Sequence, residues 1–186
     1  RDGLLDKIHR EARHARAGRE AGITIKMNSL VDEEIVDALY DASRAGVPVD
    51  LIIRGMCVLR PGVPGLSENI RVRSILGRFL EHSRVLRFRN GGEEQLWMGS
   101  ADAMHRNLDR RVEALVHVTD PAPAAELSEV LRLATSPEIS AWELQPDGTW
   151  VRRTTDESGE RLPDYQALLL TRAANRTVES RPEPRI

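Results

Sequence analysis

Two basic side chains in this sequence have types and a spacing that would suit phosphoryl chemistry. His82 lies in the stretch RFLEHSRVLRF, and Arg84 follows it two positions later. If the segment is extended, the two side chains lie on one face, because strand side chains repeat with period two. A neighbouring cation favours the neutral imidazole, which can act as a nucleophile or accept a proton. The alternative is a structural histidine packed near Phe79 and Leu80.

Arg54 ends the apolar run VPVDLIIRG and is followed by a loop. A charge at the end of a buried strand is costly unless it faces a cleft, although its stem could also carry it to solvent. The window from Arg54 to Arg89 holds eight arginines against two acids, a net charge of +6 in a chain of net charge -2. Guanidinium groups bind phosphate-like anions bidentately, so the window indicates an anion site. A generally arginine-rich composition is the alternative, since the chain has only two lysines.

The stretch GSADAMHRNLDRR, residues 99–111, is the third candidate because it follows a predicted strand. Ser100, Asp102 and Asn107 could hydrogen-bond locally or orient a histidine across a cleft. We expect His105 to lie in a surface loop. The five histidines lack the spacing of metal ligands, so no metal site is predicted. Neither G-x-x-x-x-G-K-S/T nor G-x-G-x-x-G occurs, which excludes the two common nucleotide loops.

The hydrophobic pattern predicts the elements that must position these residues. An apolar stripe predicts a helix over 3–18, and 22–28 and 47–55 are predicted strands on either side of a helix capped by Asp32. This arrangement is a βαβ unit with parallel strands, and ligands bind at the carboxyl ends of such strands. Further strands, hairpins and helices are predicted at 70–75, 85–89 with 95–100, 110–118, 121–136, 142–153 and 164–175. The fold class is therefore α/β.

Composition limits the class of protein. The chain is 40% hydrophobic with only 4% aromatic residues, so it can bury an aliphatic core. Its small net charge argues against a general nucleic-acid or membrane-surface binder. A single cysteine, Cys57, excludes an internal disulfide framework, and no signal peptide or membrane span is visible, so we expect a cytoplasmic protein. Because the chain begins at Arg1 without Met and enters a helical pattern at once, we expect a piece of a longer polypeptide.

Residues 23–118 resemble the carboxy-terminal domain of bacterial polyphosphate kinase. The resemblance rests on KMNSLVDEEIVDALYDASRAGVPVDLIIRGMCVLRPGVPGLSENIRVRSILGRFLEHSRV and on GSADAMHRNLDRRVE. It implies an α/β fold with a phospholipase D-like mixed β-sheet flanked by helices. It also implies that 1–20 form the terminal helix of a preceding domain, 21–176 the carboxy-terminal domain and 177–186 a flexible tail.

The resemblance further implies a phosphotransferase that moves the γ-phosphate of ATP reversibly to inorganic polyphosphate, through a phosphohistidine in the preceding domain. By position, Arg54 would bind the ATP phosphates, and His82 would be catalytic and contact ATP. The supporting candidates are Arg84, Ser100, Asp102 and Asn107. Mg2+ would accompany ATP without dedicated ligands from this chain, which alone would be inactive.

The partners that the resemblance implies are ATP or ADP, polyphosphate, and the amino-terminal, helical and first phospholipase D-like domains, with no nucleic acid. The full-length enzyme would be a homo-oligomer in the cytoplasm, with membrane association as a further possibility.

The sequence departs from two related patterns. Arg84 and Arg89 stand where the phospholipase D pattern has Lys and Asp, and Ala103 and His105 stand where polyphosphate kinases commonly have Trp and Pro. The first departure weakens a phosphodiesterase interpretation and suits denser negative charge. Two alternatives stay open: a phospholipase D-like phosphodiesterase half-site and a non-catalytic polyanion-binding domain.

Overall fold

A computed structural model describes residues 1–179 of the chain. Its helices are α1 Asp2–Arg16, α2 Glu33–Arg44, α3 His105–Leu108, α4 Pro121–Thr135 and α5 Tyr165–Glu179. Its strands are β1 Ile23–Met27, β2 Val49–Ile53, β3 Ile70–Ser74, β4 Arg84–Phe88, β5 Gln95–Gly99, β6 Leu115–His117, β7 Ala141–Leu144 and β8 Trp150–Arg153. These elements confirm the α/β class predicted from the hydrophobic pattern.

The strands form one mixed, eight-stranded sheet in the order β6-β5-β4-β1-β2-β3-β7-β8. β1, β2 and β3 run parallel, and the other neighbours pair antiparallel. The predicted βαβ unit is confirmed, because β1 pairs with β2 in parallel. β4 lies beside β1 in the opposite direction, so its amino end is at the carboxyl edge of the parallel strands. The topology therefore brings segments that are distant in sequence to one edge.

Helices cover both faces of the central strands. The alternation in ITIKM predicts β1, yet all five of its residues are buried. Met27 contributes to a core shared with α1 and α2, whereas Ile52 and Val85 contribute to a second core with α4 and α5. Because successive strand residues point to opposite faces, Thr24 and Lys26 lie on the side opposite Met27. Buried polar residues on that side need internal partners.

α1 packs into the same core as the sheet. Ile8 is 0% exposed and Ala12 is 2% exposed, and both belong to the cluster that contains α2. The buried Glu11 carboxylate accepts hydrogen bonds from the backbone N–H groups of Gly22, at 3.0 Å, and Asn90, at 2.9 Å. The assignment of 1–20 to a preceding domain stays a prediction, but this helix is packed as a part of the domain that the sheet builds.

α2 begins at the predicted cap. Asp32 accepts a hydrogen bond from the backbone N–H of Ile35 at 3.1 Å and another from Arg1 Nη2 at 2.8 Å. Its side chain is fully buried. Glu33 and Glu34 occupy the first turn, where their charge favours the helix dipole. The cap thus sets where the chain enters the helix that connects β1 to β2.

Later elements differ from prediction in extent. The hairpin of β4 and β5 turns across NGG as predicted, with φ of +50° at Asn90 and +70° at Gly91. The strand predicted over 110–118 is limited to Leu115–His117, and His105 begins the short helix α3 instead of lying in a loop. α5 extends past residue 175 to Glu179, into the predicted tail. The rest of that tail, 180–186, lies outside the described residues.

We expect Asp32→Ala to lower the free energy of unfolding by about 2 kcal/mol, because it removes both a helix cap and the buried partner of Arg1. Urea denaturation measures this quantity. Asp37→Ala, an exposed change in the same helix, is the matched control and should change it by less than about 0.5 kcal/mol. Equal effects of the two substitutions would contradict the role of the cap.

Candidate functional site

Four polar residues meet at the carboxyl edge of β1 and β2. Asn28 follows β1, and Arg54 follows β2. Arg84 begins β4, and Asp102 lies three residues beyond the end of β5. Since β4 is antiparallel to β1 and β5 is antiparallel to β4, the start of β4 and the end of β5 lie at that same edge. The connectivity of the sheet therefore assembles a site from four separate segments.

Asp102 is the centre of this site. It is 4% exposed, and its carboxylate accepts hydrogen bonds from the Asn28 backbone N–H at 2.7 Å and from Asn28 Nδ2 at 3.2 Å. Arg84 donates to it twice, from Nε at 3.2 Å and from Nη2 at 2.9 Å. Burial raises the pKa of Asp102, but the hydrogen bonds from Arg84 and Asn28 outweigh it and hold the pKa below its ordinary value. The carboxylate therefore stays ionised as it fixes both neighbours.

Arg54 and His82 attach to opposite sides of this centre. Arg54 Nε donates to Asn28 Oδ1 at 3.1 Å. Arg84 Nη1 lies 2.8 Å from His82 Nδ1 and donates to the His82 carbonyl at 2.9 Å. The five residues Arg54, Asn28, Asp102, Arg84 and His82 thus form one continuous set of contacts, which we call the edge network. His82 lies in the loop before β4 and Arg84 is the first residue of that strand, so the two side chains meet at the start of β4 and not along an extended segment.

The contact with Arg84 defines the form of the His82 imidazole. A guanidinium can only donate hydrogen bonds, so Nδ1 must be the unprotonated nitrogen. The ring proton of the neutral imidazole is then on Nε2, which becomes a donor. His82 is exposed, so the interpretation as a packed core histidine was wrong. The edge network presents an N–H group of an imidazole and a guanidinium at the same side of the sheet.

The arginine-rich window does not form a single cationic surface. Arg71 pairs with Asp50 at 2.8 Å, and Arg73 is buried, where it donates to backbone carbonyls at the end of α4. Arg89 pairs with carboxylates near the opposite end of β4. Within residues 1–179, Arg54, Arg60 and Arg78 have no carboxylate partner. Of these three, Arg54 is held by the polar residues of the sheet edge, and its Nη1 and Nη2 atoms have no hydrogen-bond partner in that range. The local charge of +6 therefore overstates how many arginines are free to bind an anion.

Ser100 and Asn107 bind elsewhere in the third candidate stretch. Asn107 Nδ2 donates to Glu113 at 2.7 Å, and the Ser100 hydroxyl donates to the same carboxylate. The Ser100 oxygen also accepts from the backbone N–H of Ala114 at 3.1 Å. These contacts hold the segment between β5 and β6 in place. Of the supporting candidates, Arg84 and Asp102 belong to the edge network, whereas Ser100 and Asn107 make no side-chain hydrogen bond to it within residues 1–179.

Asn28 is the member of the edge network that sequence reasoning missed. It bridges Arg54 and Asp102, and it is 6% exposed. A polar residue directly after a buried strand was the signal that identified Arg54, and Asn28 follows β1 in the same way. Applied to both strands of the βαβ unit, that signal would have found it.

His105 forms a separate ion-pair cluster at the start of α2. Its Nε2 lies 2.6 Å from Glu33, and its Nδ1 lies 3.2 Å from Asp109 and 3.7 Å from Asp32. Arg1 also pairs with Asp32 and Asp109. Hydrogen bonds with Glu33 and then Asp109 raise the pKa of His105. This histidine fastens α3 to α2 and lies on the surface, as expected.

The fold and the edge network define a class: an α/β domain that presents basic groups at the carboxyl edge of its parallel strands, an arrangement suited to an anionic ligand. The family described as polyphosphate kinase C-terminal domain 2 matches residues 1–162. The chain belongs to that family.

Curated relatives and a solved structure agree with this assignment. The chain is 62% identical over 170 residues to the polyphosphate kinase of Streptomyces coelicolor and 52% identical over 172 residues to that of Thermosynechococcus vestitus. These alignments cover 91% and 92% of the chain but only 23% of each relative. The crystal structure of polyphosphate kinase from Porphyromonas gingivalis aligns with a TM-score of 0.87 at 32% identity, over 96% of this chain and 27% of that one. The chain thus spans about a quarter of the length of these proteins.

A phospholipase D family member, Nuc from Salmonella typhimurium, aligns with this chain at 19% identity and a TM-score of 0.47. The predicted mixed sheet flanked by helices is confirmed by the strand order and the two helical layers.

Within residues 1–179, no three His, Cys, Asp or Glu side chains are grouped to hold a metal ion. In the same range, no helix has the length and apolarity to cross a membrane.

We expect His105→Gln to remove a pH-dependent part of the domain's stability. Because the folded-state pKa of His105 is raised, its contribution is complete below the ordinary value of 6.5 and is lost as the pH rises through the folded-state value. The melting temperature should therefore be lower in the variant than in the parent at pH 6, and the difference should shrink at pH 9. His9→Gln, an exposed change in α1, is the control. A difference that is constant across this range would contradict the assignment.

Proposed function

We propose that this chain supplies the phosphate-binding half of a polyphosphate kinase active site, at which the γ-phosphate of ATP is transferred reversibly to inorganic polyphosphate. The edge network is the observation that carries the proposal. It joins Arg54 and His82, which are 28 residues apart in sequence, through three intermediate residues whose contacts are at most 3.2 Å long. Phosphoryl transfer depends mainly on positioning and charge neutralisation, which such an array provides.

Arg54 is assigned to the phosphates of ATP or to the end of the polymer. Its Nε is used by Asn28, which fixes the plane of the guanidinium, while Nη1 and Nη2 are available for phosphate oxygens. Two parallel donors on a fixed plane match the geometry of a phosphate group. The half-buried position also strengthens the interaction relative to one in bulk water.

His82 is assigned to the transferring group as a hydrogen-bond donor. Arg84 occupies Nδ1, so Nε2–H is the group that can contact a phosphoryl oxygen. The sequence suggested a neutral imidazole that acts as a nucleophile or accepts a proton, whereas this tautomer favours donation from Nε2–H to developing negative charge. Arg84 itself is bound to Asp102 through two nitrogens, which makes it a group that orients His82.

The remaining parts of the reaction belong to the longer polypeptide. The resemblance implies a phosphohistidine in a preceding domain, and we propose that His82 faces it in the assembled enzyme. We also propose that this enzyme is homo-oligomeric and cytoplasmic. Mg2+ fits this chain poorly, because Asp102, the carboxylate of the edge network, uses both oxygens for Arg84 and Asn28. We therefore assign the ion to the phosphates of the nucleotide.

Two alternatives gain less support from the geometry. In a phosphodiesterase half-site, the residue two positions after the histidine would be free for the substrate, but Arg84 is bound to Asp102. Arg89 follows β4 at the end opposite His82 and pairs with Glu20 and Glu94. A domain that only docks a polyanion would have no need of an oriented imidazole.

In a full-length enzyme that carries this chain, we expect His82→Ala and Arg54→Ala each to lower kcat for polyphosphate synthesis by about 100-fold or more, the usual cost of losing one transition-state donor. Melting temperatures should stay within a few degrees, since neither change opens the core. His9→Ala and Arg44→Ala, both exposed and distant in the fold, are the matched controls. Unchanged turnover would remove the two residues from the site, and vigorous synthesis by the isolated chain would contradict a divided site.

A further inference from the structure

The segment that carries His82 has little apolar burial to hold it. We call residues 76–83, between β3 and β4, the His82 loop. Its large apolar side chains are solvent-exposed, with Leu76 at 57%, Phe79 at 50% and Leu80 at 70%. Yet His82 Nδ1 lies 2.8 Å from Arg84 Nη1, so the loop must be held in a fixed position. Polar contacts must therefore fix this loop, and two buried residues outside the edge network, Gln166 and Lys26, supply them.

Gln166, in the first turn of α5, contacts the loop backbone in both directions. Its Oε1 accepts from the Phe79 N–H at 2.8 Å, and its Nε2 donates to the Phe79 carbonyl at 2.8 Å. Nε2 also donates to Glu81 at 2.9 Å. Gln166 is only 4% exposed, so these bonds are shielded from water. The side-chain amide of Gln166 thus satisfies the backbone N–H and carbonyl of Phe79, as a neighbouring strand would.

Gly77 gives the amide room to approach. A Cβ atom at this position would lie 2.4 Å from Gln166 Oε1 and 2.6 Å from its Cδ. Any larger residue would displace the amide from the loop. The close packing of Gly77 against Gln166 indicates that the contact depends on glycine at this position.

Lys26 holds the same loop from the sheet. It is 3% exposed, and its ammonium lies 2.9 Å from Glu81 and 2.8 Å from the Ser83 hydroxyl. Glu81 and Ser83 are the two neighbours of His82 in sequence. A buried ammonium with two short contacts is costly to displace. Gln166 and Lys26 therefore meet at Glu81, one from each side.

We propose that Gln166 is a positioning residue for His82 and that α5 is in this way a part of the active site. The family match ends at residue 162, so this helix lies outside it. The inference rests on the proposed function, since it concerns the donor that His82 presents to the phosphoryl group. Loss of the Gln166 contacts frees the backbone of the His82 loop, while Arg54 and Asp102 keep their own contacts.

The test uses Gln166→Met, which keeps the length of the side chain and removes its hydrogen bonds, in a full-length enzyme that carries this chain. Hydrogen exchange of peptides that cover 76–83 should become about 10-fold faster or more, because the Phe79 amide loses its acceptor. Turnover should fall by about 10-fold to 100-fold, the cost of a small misplacement of a reacting group. The KM for ATP should change by less than about threefold, since Arg54 is untouched.

Gln145→Met is the matched control. Gln145 is half-buried and, like Gln166, donates to a backbone carbonyl, that of Glu143 at 3.2 Å, but it lies in the hairpin of β7 and β8. This variant should keep parental exchange over 76–83 and parental turnover. A Gln166→Met enzyme with faster loop exchange and parental turnover would overturn the proposal, and so would parental loop exchange.

Glu81→Gln serves if Gln166→Met fails to fold. It removes the negative charge with which Lys26 pairs and to which Gln166 donates a hydrogen bond. It should therefore also speed hydrogen exchange of the loop and lower turnover. Parental turnover in this variant would overturn the proposal. Comparison with His82→Ala separates the two claims. If His82→Ala abolishes synthesis and the Gln166 variant does not lower it, only the positioning role fails; if His82→Ala is fully active, the proposed function fails.

Discussion

A buried carboxylate, Asp102, is the constraint on which the edge of the sheet depends. Burying an unpaired charge is prohibitively costly, so a carboxylate that is 4% exposed requires donors that are fixed in place. Asn28 and Arg84 supply four hydrogen bonds between them. Each donor has a second contact, with Arg54 or with His82, so satisfying Asp102 also orients the two outer groups. The hydrogen bonds that stabilise the buried Asp102 charge are therefore the same ones that assemble the site.

The order of the strands makes this requirement possible. Three parallel strands alone would bring together only residues that follow β1, β2 and β3. Placing β4 antiparallel beside β1, with β5 beyond it, adds one strand start and one strand end to the same edge. The helical layer formed by α4 and α5 then covers the face on which Lys26 lies, and α5 carries Gln166 to the exposed loop before β4. The His82 loop is therefore held by polar contacts with the core and not by its own packing.

Periodicity and end signals in the sequence were enough to predict most of the fold. The βαβ unit, its Asp32 cap and the NGG hairpin were found because each depends on neighbours in sequence. Arg54 was found because a charge at the end of a buried strand needs an explanation. Contacts between distant residues left no such signal: Phe79 and Gln166 are 87 positions apart, and a glutamine in a helix has no pattern that marks it. Ser100 and Asn107 were grouped with Asp102 by proximity, but their side chains turn to Glu113.

Titration of the Asp102 carboxyl carbon by 13C NMR in this chain tests the central claim most directly, with Asp102→Asn used to assign the signal. Asp102 is held by donors that outweigh the cost of its burial, so its pKa should lie below the ordinary value of 3.8. Acidification through that lower value should be accompanied by loss of the Arg84 contacts and of stability. A pKa at or above 3.8 would show that burial dominates and that Asp102 does not hold the site together.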